Sequence, residues 1–346
     1  MTLAPRVFWV ALLCALAPVA RSTAQIDLGE AGDFAVFGLG STQSVGTSDS
    51  MTINQAEIYG DVAVGANTGG GTASGNGTFQ KGFIQGRLFV DGPTTPASYT
   101  IVNKNFTVSG TVFGSTPPNP GNNPDSTGTG TFNLSPAVQT ALNKSAFYAA
   151  LPGQVALGNF ALSSSNTTLL AGTYSATSFS MDSSSILTIQ GGPNDTFVLN
   201  DSGDFNFAKS FIVLQGGITS GNVLFNITGT GTTVNVSGNS SIFFGTILAP
   251  NRSIIIDALG TGSPQGVSLG LDGIPGTADD NPGFEGRVIG ALSTSSTVLS
   301  IDVHSGAEIN GSGLGINEEI PEPSTIALFA LGSTLALISR RYRSRY

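Results

Sequence analysis

Short runs of apolar residues, closed by Gly, Asn and Ser, follow one another through most of the chain and come at close intervals from residue 167 onward. Runs rich in Val, Ile, Phe and Thr are typical of β-strands, and the intervals between them are typical of tight turns. The pattern therefore predicts an all-β body. The predicted strands are Phe34–Phe37, Met51–Ile53, Ile58–Val64, Phe83–Val90, Leu169–Tyr174, Ile186–Ile189, Phe197–Leu199, Phe211–Leu214, Val223–Phe225, Val234–Val236, Ile242–Phe244, Ile247–Leu248 and Ile254–Ile256.

The spacing of these strands predicts how they assemble. Short strands at even intervals cannot bury an apolar face alone, and a β-solenoid covers each coil with its neighbours. The sequence has no exact repeat, so a solenoid formed by it would be irregular. A Greek-key sandwich gives a similar spacing and stays open as the alternative architecture.

One segment departs from the strand pattern. Ser135 and Pro136 supply an N-cap and a proline at the first helical position. Apolar residues then recur on one helical face, at Val138, Leu142, Ala146 and Ala149. We expect an α-helix over about 135–151, packed along the flank of the β body because the pattern supplies no second helix.

Composition limits the partners of the body. Charged residues make up only 10% of the chain, and 47 glycines together with abundant Ser, Thr and Asn take their place. Residues 25–319 hold 7 basic and 21 acidic side chains, a net charge of −14. Nucleic acid and anionic lipid surfaces are therefore not expected partners.

The first 24 residues have the three parts of a secretory signal peptide. Arg6 precedes an apolar stretch from Val7 to Ala17, and Ser22 to Ala24 form a small-x-small exit. We expect cleavage between Ala24 and Gln25. Removal of this segment takes away the single Cys, Cys14, so the mature protein has no disulfide.

The last 27 residues also have three parts. Pro321, Glu322 and Pro323 break the chain, residues 324–339 are apolar and uncharged, and four arginines follow at Arg340, Arg341, Arg343 and Arg345. A 16-residue apolar segment is short for a membrane helix, but thinning of the bilayer and snorkelling arginines accommodate it. The arginines predict a cytoplasmic C-terminus. The chain between the body and this segment, residues 305–319, is a predicted linker.

These parts, in this order, resemble the PEP-CTERM sorting signal of Gram-negative bacteria, here over residues 320–346. Ile320 stands where Val is usual. The resemblance implies recognition by an exosortase-type membrane enzyme that cleaves near the motif, with a transient stay in the inner membrane before the cell surface or matrix. A plain C-terminal membrane anchor is the alternative.

The body carries a second resemblance. LLAGTYSATSFSMDSSSILTIQGGPNDTFVLN, GNVLFNITG, IFFGTILAPNRSIII and GRVIGAL are similar to the ice-binding-like β-helix family and to the related "choice-of-anchor A" surface domains. The likeness runs from about Leu28 to Val303, and implies one irregular β-solenoid domain over 25–304 with the helix along it. An insertion over 257–285, between the ILAPN strand and GRVIGAL, departs from the pattern.

The sequence offers little catalytic chemistry. His304 is the only histidine, and its alternation with Ile301 and Val303 favours a surface position at a strand end. Cys-based sites are excluded after signal removal. Carboxylate pairs of a glycosidase need only two acids in a cleft, so sequence alone leaves them open. A polysaccharide lyase of solenoid fold typically needs a cationic base beside metal-binding acids, and none of the seven basic residues of the body sits in an acidic cluster. A polysaccharide-acting enzyme is therefore the less favoured alternative. We do not expect an enzyme or a cofactor.

The insertion contains the one candidate metal site. Asp272, Asp279 and Asp280 lie in a Gly- and Pro-rich loop, and oxygen ligands on a bent loop suit calcium. The spacing matches no EF-hand, and Asp-Gly and Asp-Asn pairs are also ordinary turn chemistry.

We therefore predict an exported, non-enzymatic surface or matrix protein with a structural or adhesive role, in contact with exopolysaccharide or another extracellular surface. Ice binding is the alternative that the second resemblance raises. It needs a flat face of Thr and Ser, whereas the Thr-x-Thr pairs at 127–131 and 228–232 have the composition of turns. The sequon at Asn226 is compatible with surface glycosylation.

Overall fold

The computed structural model describes residues 25–41, 49–65, 76–91, 98–113, 132–259, 267–275, 280–294 and 297–311. These residues form 24 strands, one α-helix (α1, Ser135–Ala149) and two short 3-10 helices (Gly29–Asp33 and Ser220–Asn222). The strands are β1 Val36–Ser41, β2 Asp49–Asn54, β3 Glu57–Tyr59, β4 Val62–Val64, β5 Asn76–Gln85, β6 Leu88–Val90, β7 Ser98–Val108, β8 Val112–Phe113, β9 Val155–Ser163, β10 Asn166–Leu170, β11 Gly172–Asp182, β12 Ile186–Gln190, β13 Phe197–Asp201, β14 Phe205–Ala208, β15 Phe211–Gln215, β16 Val223–Ile227, β17 Val234–Ser237, β18 Ile242–Phe244, β19 Thr246–Ala249, β20 Ile254–Asp257, β21 Gly283–Glu285, β22 Val288–Ser293, β23 Ile301–His304 and β24 Glu308–Asn310.

The named strands pair in parallel throughout, which confirms an all-β body and is consistent with a β-solenoid rather than an antiparallel sandwich. Their pairings trace three long sheets. The helix sheet contains β1, β4, β6, β8, β13, β16, β19, β22 and the first half of β11. The polar sheet contains β2, β14, β17, β20, β23, the second halves of β9 and β11, and the first halves of β5 and β7. The loop sheet contains β3, β10, β12, β15, β18, β21, β24 and the ends of β5 and β7.

The order of coils along the stack differs from their order in the chain. β1 lies between β22 and β4, with Val36 opposite both Val288 and Val62. The first coil thus stacks on the last one, in the middle of the solenoid. The strands up to β8 extend the stack in one direction, and the strands from β9 to β24 fill the other.

Aromatic stacks fill the interior. Phe179 and Phe205 stack with ring centroids 4.7 Å apart, and Phe243 and Phe284 do so at 4.6 Å. All four side chains are buried. Offset aromatic pairs contribute about 1 kcal/mol beyond their buried area, so in a body whose described residues include no cysteine the core supplies much of the stability.

Helix α1 covers the helix sheet, as predicted, but with a different face. Its buried residues are Ala137, Ala141, Ser145 and Tyr148. Of the predicted face, Val138 and Leu142 are partly buried, whereas Ala146 is exposed. The small side chains on the buried face let the backbone of α1 approach the sheet closely enough for direct hydrogen bonds. These hydrogen bonds fix the rotation of α1 about its axis.

The ends of α1 also differ from the prediction. Leu134, not Ser135, is the N-cap and makes no side-chain capping bond. The amide of Ser135 instead donates to Asn133 Oδ1 at 3.0 Å. The helix ends at Ala149, two residues before the predicted limit.

A buried arginine hydrogen-bonds to turns that connect the helix sheet to the polar sheet; the turns between sheets are here called coil corners. Arg252 is 1% exposed, and its guanidinium donates to the carbonyl oxygens of Gly229 (3.0 Å), Thr232 and Gly203. Asp204 Oδ1 lies 4.0 Å from its Nη1. Since successive coils supply these carbonyls, one cation satisfies backbone acceptors that a solenoid corner otherwise leaves unpaired.

The C-terminal part of the solenoid runs beyond the predicted limits. β24 lies after residue 304, in the predicted linker, and pairs with β21 and β3. β21 lies within the predicted insertion. Val267 and Leu269, also in the predicted insertion, pack on Phe211 and Ile242 of the loop sheet. Within the described ranges no helix is long and apolar enough to cross a membrane, and the predicted signal peptide and membrane segment lie outside those ranges.

Candidate functional site

The outer side of the helix sheet is not available for binding. Asn226 is fully buried, and its amide donates to the carbonyl of Ser145 at 2.9 Å and to Asn200 Oδ1 at 2.7 Å. Asn200 in turn donates to the carbonyl of Tyr148 at 2.9 Å. These two asparagines hold the last turns of α1, so the sequon at Asn226 is a structural element and not a surface site.

The outer side of the polar sheet is open along its length in the described strands. Most of its side chains are uncharged or acidic and partly exposed. Neighbours bond across strands, as in the donation from Asn235 to Asn206 Oδ1 at 2.8 Å and from Ser178 to Asn159 Oδ1 at 2.7 Å. Two adjacent columns of this face consist of Ala161, Ser180, Asn206, Asn235, Ile255, Asp302, Thr52 and Thr78, and of Ser163, Asp182, Ala208, Ser237, Asp257, His304, Asn54 and Gln80.

His304 lies on this sheet at the end of β23, as predicted. Its Nδ1 is 3.1 Å from Asp257 Oδ1 and 3.2 Å from Ser305 Oγ. A nucleophile–base–acid triad needs its serine and its carboxylate on opposite ring nitrogens. Both contacts are to the same nitrogen, so these three residues form a surface pair with a neighbouring hydroxyl and not a catalytic triad.

The outer side of the loop sheet is partly covered and carries a groove. The groove has a volume of about 310 Å³ and lies between the outward side chains of β10, β12 and β15 and residues 273–275 of the insertion. Its lining consists of Asn166, Thr167, Thr168, Ile186, Thr188, Val213, Gln215, Gly273 and Pro275.

Buried acids sit at coil corners. Burial raises the pKa of Asp201 to about 6, against a weaker opposing effect of the bond it accepts from the Gly203 amide. Burial likewise raises the pKa of Glu285, which accepts a 2.5 Å bond from Ser220 Oγ. Tyr59, close to Glu57 and Glu308, has its pKa raised to about 12, chiefly by desolvation. These groups lie apart from the groove lining.

The predicted site residues are placed as follows. Pro321, Glu322, Pro323, the four arginines from Arg340 to Arg345, Ala24 and Asp279 lie outside the described residues. Gln25 is exposed. Asp272 Oδ1 accepts from the amide of Ile274 at 2.9 Å, which is turn chemistry. The described residues contain no group of three His, Cys, Asp or Glu side chains placed to hold a metal, and calcium at Asp272, Asp279 and Asp280 stays a prediction.

The Thr-x-Thr pairs have separate outcomes. Residues 228–232 form the corner between β16 and β17, where the amide of Thr228 donates to the carbonyl of Asp201 and Thr232 bonds Asp204. They belong to a turn, as predicted, and not to a flat face. The pair at 127–131 lies outside the described residues.

The parallel stacked strands, the flanking helix and the open polar sheet are consistent with the class of β-solenoid domains. Residues 27–266 match the family model of the ice-binding-like adhesive domain, and the chain belongs to this family. Residues 319–344 match the PEP-CTERM protein-sorting motif. This motif implies processing by an exosortase and export to the cell surface.

Several solved structures are similar. The ice-binding protein of the Antarctic ascomycete Antarctomyces psychrotrophicus is 15% identical, with 83% of this chain and 98% of that chain covered and a TM-score of 0.43. An ice-binding protein from an Antarctic biological consortium is 16% identical, with 85% and 95% covered and a TM-score of 0.47. An ice-binding protein domain of Shewanella frigidimarina is 14% identical, with 83% and 98% covered and a TM-score of 0.45. A search of curated proteins finds no match.

Proposed function

We propose that this chain is an exported structural and adhesive protein of the cell surface or extracellular matrix. A signal peptide at 1–24 starts its export, a membrane segment at 324–339 holds it transiently in the inner membrane, and an exosortase processes it at Pro321–Pro323. The solenoid then makes contact with exopolysaccharide or another extracellular surface. The observation that carries the adhesive role is the open polar sheet, because a long array of hydrogen-bonding side chains, most of them neutral and three of them aspartates, suits extended, multivalent contact.

Location is tested by removing residues 320–346 and following the protein by immunoblot of cell, membrane and medium fractions. The truncated chain is expected in the medium or periplasm, and the full chain at the surface or in the matrix. Substitution of Pro321 and Pro323 by Ala is expected to leave unprocessed protein in the inner membrane. Unchanged processing of that variant contradicts the exosortase step.

Adhesion is tested on the polar sheet itself. Ser180, Thr52 and Thr78 are replaced together by Arg, and the matched control places Arg at Gln139, Asn143 and Ala146 on the exposed side of α1. Cell aggregation and retention in the matrix are expected to fall with the first set and persist with the second. Equal behaviour of the two sets would remove the polar sheet from the adhesive role.

Ice binding is the second candidate function. Membership of the ice-binding-like adhesive domain family supports it, as do Thr52 and Thr78, which are adjacent in register on the polar sheet. Three aspartates on the same face favour the adhesive role instead, because charged groups order water differently from a hydroxyl plane. Inhibition of ice recrystallisation at micromolar protein, lost in the Thr52→Arg and Thr78→Arg variant, would put ice binding first.

A further inference from the structure

We propose that the groove on the loop sheet is a binding site for a neutral, extended polysaccharide chain. Three strands and one loop build it. β10, β12 and β15 pair in register, with Thr168 opposite Thr188 and Thr188 opposite Val213. Gly273 and Pro275 of the insertion form the opposite wall. These loop residues lie past the family match, which ends at residue 266.

The chemistry of the lining selects the class of ligand. None of the nine lining residues is charged, although the body carries a net charge of −14. Thr, Asn and Gln side chains each donate and accept hydrogen bonds, whereas carboxylates only accept and ammonium groups only donate. A sugar hydroxyl both donates and accepts, so polyols match this lining on every side. Cations and anions find no opposite charge in it.

Apolar atoms complete the match. Ile186 and Val213 lie among the polar lining residues. Ile186 is partly exposed and offers a surface for the C–H face of a pyranose ring, whereas Val213 is only 8% exposed. Three of the exposed large apolar side chains in the described residues belong to the same segments as the lining: Leu170, Leu271 and Ile274. A site with a few convergent polar groups on an apolar floor is the usual form of a pocket for a small organic ligand or a polymer unit.

The periodicity of the groove indicates a polymer. Adjacent strands in a sheet lie about 4.8 Å apart, which is close to the length of one pyranose unit along an extended glycan. Two polar side chains are spaced by this step in each of two rows, Gln190 and Gln215 next to Leu170, and Thr168 and Thr188 next to Val213. At β10 the described stack ends, so a chain lying in the groove can continue past the protein.

The proposal is tested with the full chain purified in a mild detergent. Affinity gel electrophoresis is run with dextran, laminarin and galactomannan as neutral probes and with alginate as an acidic one. Retardation by at least one neutral polysaccharide is expected, and alginate is expected to have no effect. Thr168 is exposed, so Thr168→Arg blocks the groove without disturbing the core, and we expect at least a tenfold loss of affinity. Gln215→Ala removes a donor and an acceptor, and a several-fold loss is expected.

The matched control is Gln139→Arg, which places the same side chain at an exposed position of α1, outside both the groove and the polar sheet. It is expected to bind like the natural chain. Circular dichroism melts of the three variants identify any that unfold. Binding by Thr168→Arg that equals the natural chain, retardation by alginate alone, or no retardation by any neutral probe overturns the proposal.

This site is independent of the adhesive role proposed for the polar sheet, and the two experiments separate them. If the groove does not bind glycan, the neutral polysaccharides do not retard the protein in the gels, and cell aggregation is unaffected. If the polar sheet is not adhesive, its Arg variants aggregate like the natural chain, and retardation by glycan is unaffected. A further variant, Ala161→Arg, probes the polar sheet. If it abolishes retardation and Thr168→Arg does not, the glycan binds the polar sheet and the groove is refuted.

Discussion

The side-chain amide of Asn226, in the helix sheet, donates to the backbone carbonyl of Ser145, in α1, at 2.9 Å. Ser145 Oγ returns a bond to Asn226 Oδ1 at 2.7 Å. The two residues are 81 positions apart and both are buried. This reciprocal pair sets the distance and rotation of the helix on the solenoid.

Replacement of Asn226 by Leu is expected to lower the free energy of unfolding by about 2–4 kcal/mol. The change keeps the volume but leaves the Ser145 carbonyl and Asn200 Oδ1 buried without their donor, and each such group costs about 1–3 kcal/mol. Urea unfolding measures it. Asn235→Leu is the control, since its cross-strand bond to Asn206 is half-exposed and water can replace it. An equal loss of free energy of unfolding in both variants would contradict the stabilising role of the contact between Asn226 and α1.

Replacement of Arg252 by Met is expected to cost about 3–5 kcal/mol. The side chain is 1% exposed, and its loss leaves the carbonyls of Gly229, Thr232 and Gly203 without a donor. The comparison is Arg87→Met, whose guanidinium is 45% exposed beside Asp61 and is expected to contribute less than about 1 kcal/mol. Thermal unfolding of the two variants measures the difference, and Arg252→Met is expected to lower the melting temperature more than Arg87→Met.

Asp201 predicts a pH dependence of stability. Burial raises its pKa from 3.8 to about 6, so the folded protein binds a proton more tightly than the unfolded chain. The protonated Asp201 side chain therefore contributes to the stability of the folded state below about pH 4, and this contribution is lost as the pH rises through 6. Asp201→Asn keeps the bond from the Gly203 amide and is expected to be more stable than the natural chain at pH 7, on the order of 2 kcal/mol. Near pH 4 the two should be alike.

Asp27→Asn tests a pH dependence of stability that runs in the opposite direction. The hydrogen bond from Lys144 lowers the pKa of Asp27, so its contribution is present above its ordinary pKa and is lost as the pH falls through the lowered value. Because the carboxylate is 66% exposed, the effect at pH 7 is expected to be a loss under about 1 kcal/mol. Urea unfolding between about pH 2.5 and 7 measures both variants, since the contribution of Asp27 changes only below its ordinary pKa. A flat difference for Asp201→Asn would contradict the assignment.

Gly229 occupies a corner where coils touch backbone to backbone. A Cβ at this position would lie 2.0 Å from the carbonyl oxygen of Ser202. Gly229→Ala is expected to cost about 3 kcal/mol or more, since two backbones must separate. Gly153→Ala is the control, because its φ of +72° disfavours Ala by about 1 kcal/mol but nothing lies within 4 Å of the added methyl. Similar losses would show that contact between coils is not the cause.

The strand content was predictable because each coil repeats the same local rule of apolar residues facing inward. Most predicted runs are strands, yet Ile58–Val64 contains two, β3 and β4, separated by a corner at Gly60 and Asp61. A two-residue corner preserves the alternation of apolar residues, so the pattern cannot show it. β9 was not predicted, because it lies at the end of the stack, contains Ala, Gly and Asn, and has six of its nine residues exposed and none fully buried.

The candidate surfaces were less accessible to sequence reasoning. The polar and loop sheets carry polar side chains on their outer sides, whereas the outer side of the helix sheet is largely apolar, with Val198, Leu224 and Leu248 in one buried cluster with residues of α1. The unbroken buried runs of β13, β16 and β19 are the sequence signal of a sheet covered on both faces, but the pattern does not show which element covers it. The groove depends on residues 273–275 folding back over β10 and β12, which no local pattern encodes. The sorting motif was recognisable for the opposite reason, since its identity lies in the order of residues along the chain and not in a fold.

The position of β1 between β22 and β4 governs how the chain can reach its native state. In most solenoids folding can start anywhere and spread from one coil to the next. Here Val36 meets Val288 only when nearly the whole chain is present, so the two half-stacks close into one body in a late step of high contact order. A nascent chain therefore emerges with two unpaired strand edges at the junction, and these stay open to chaperones, proteases and other chains until β22 arrives.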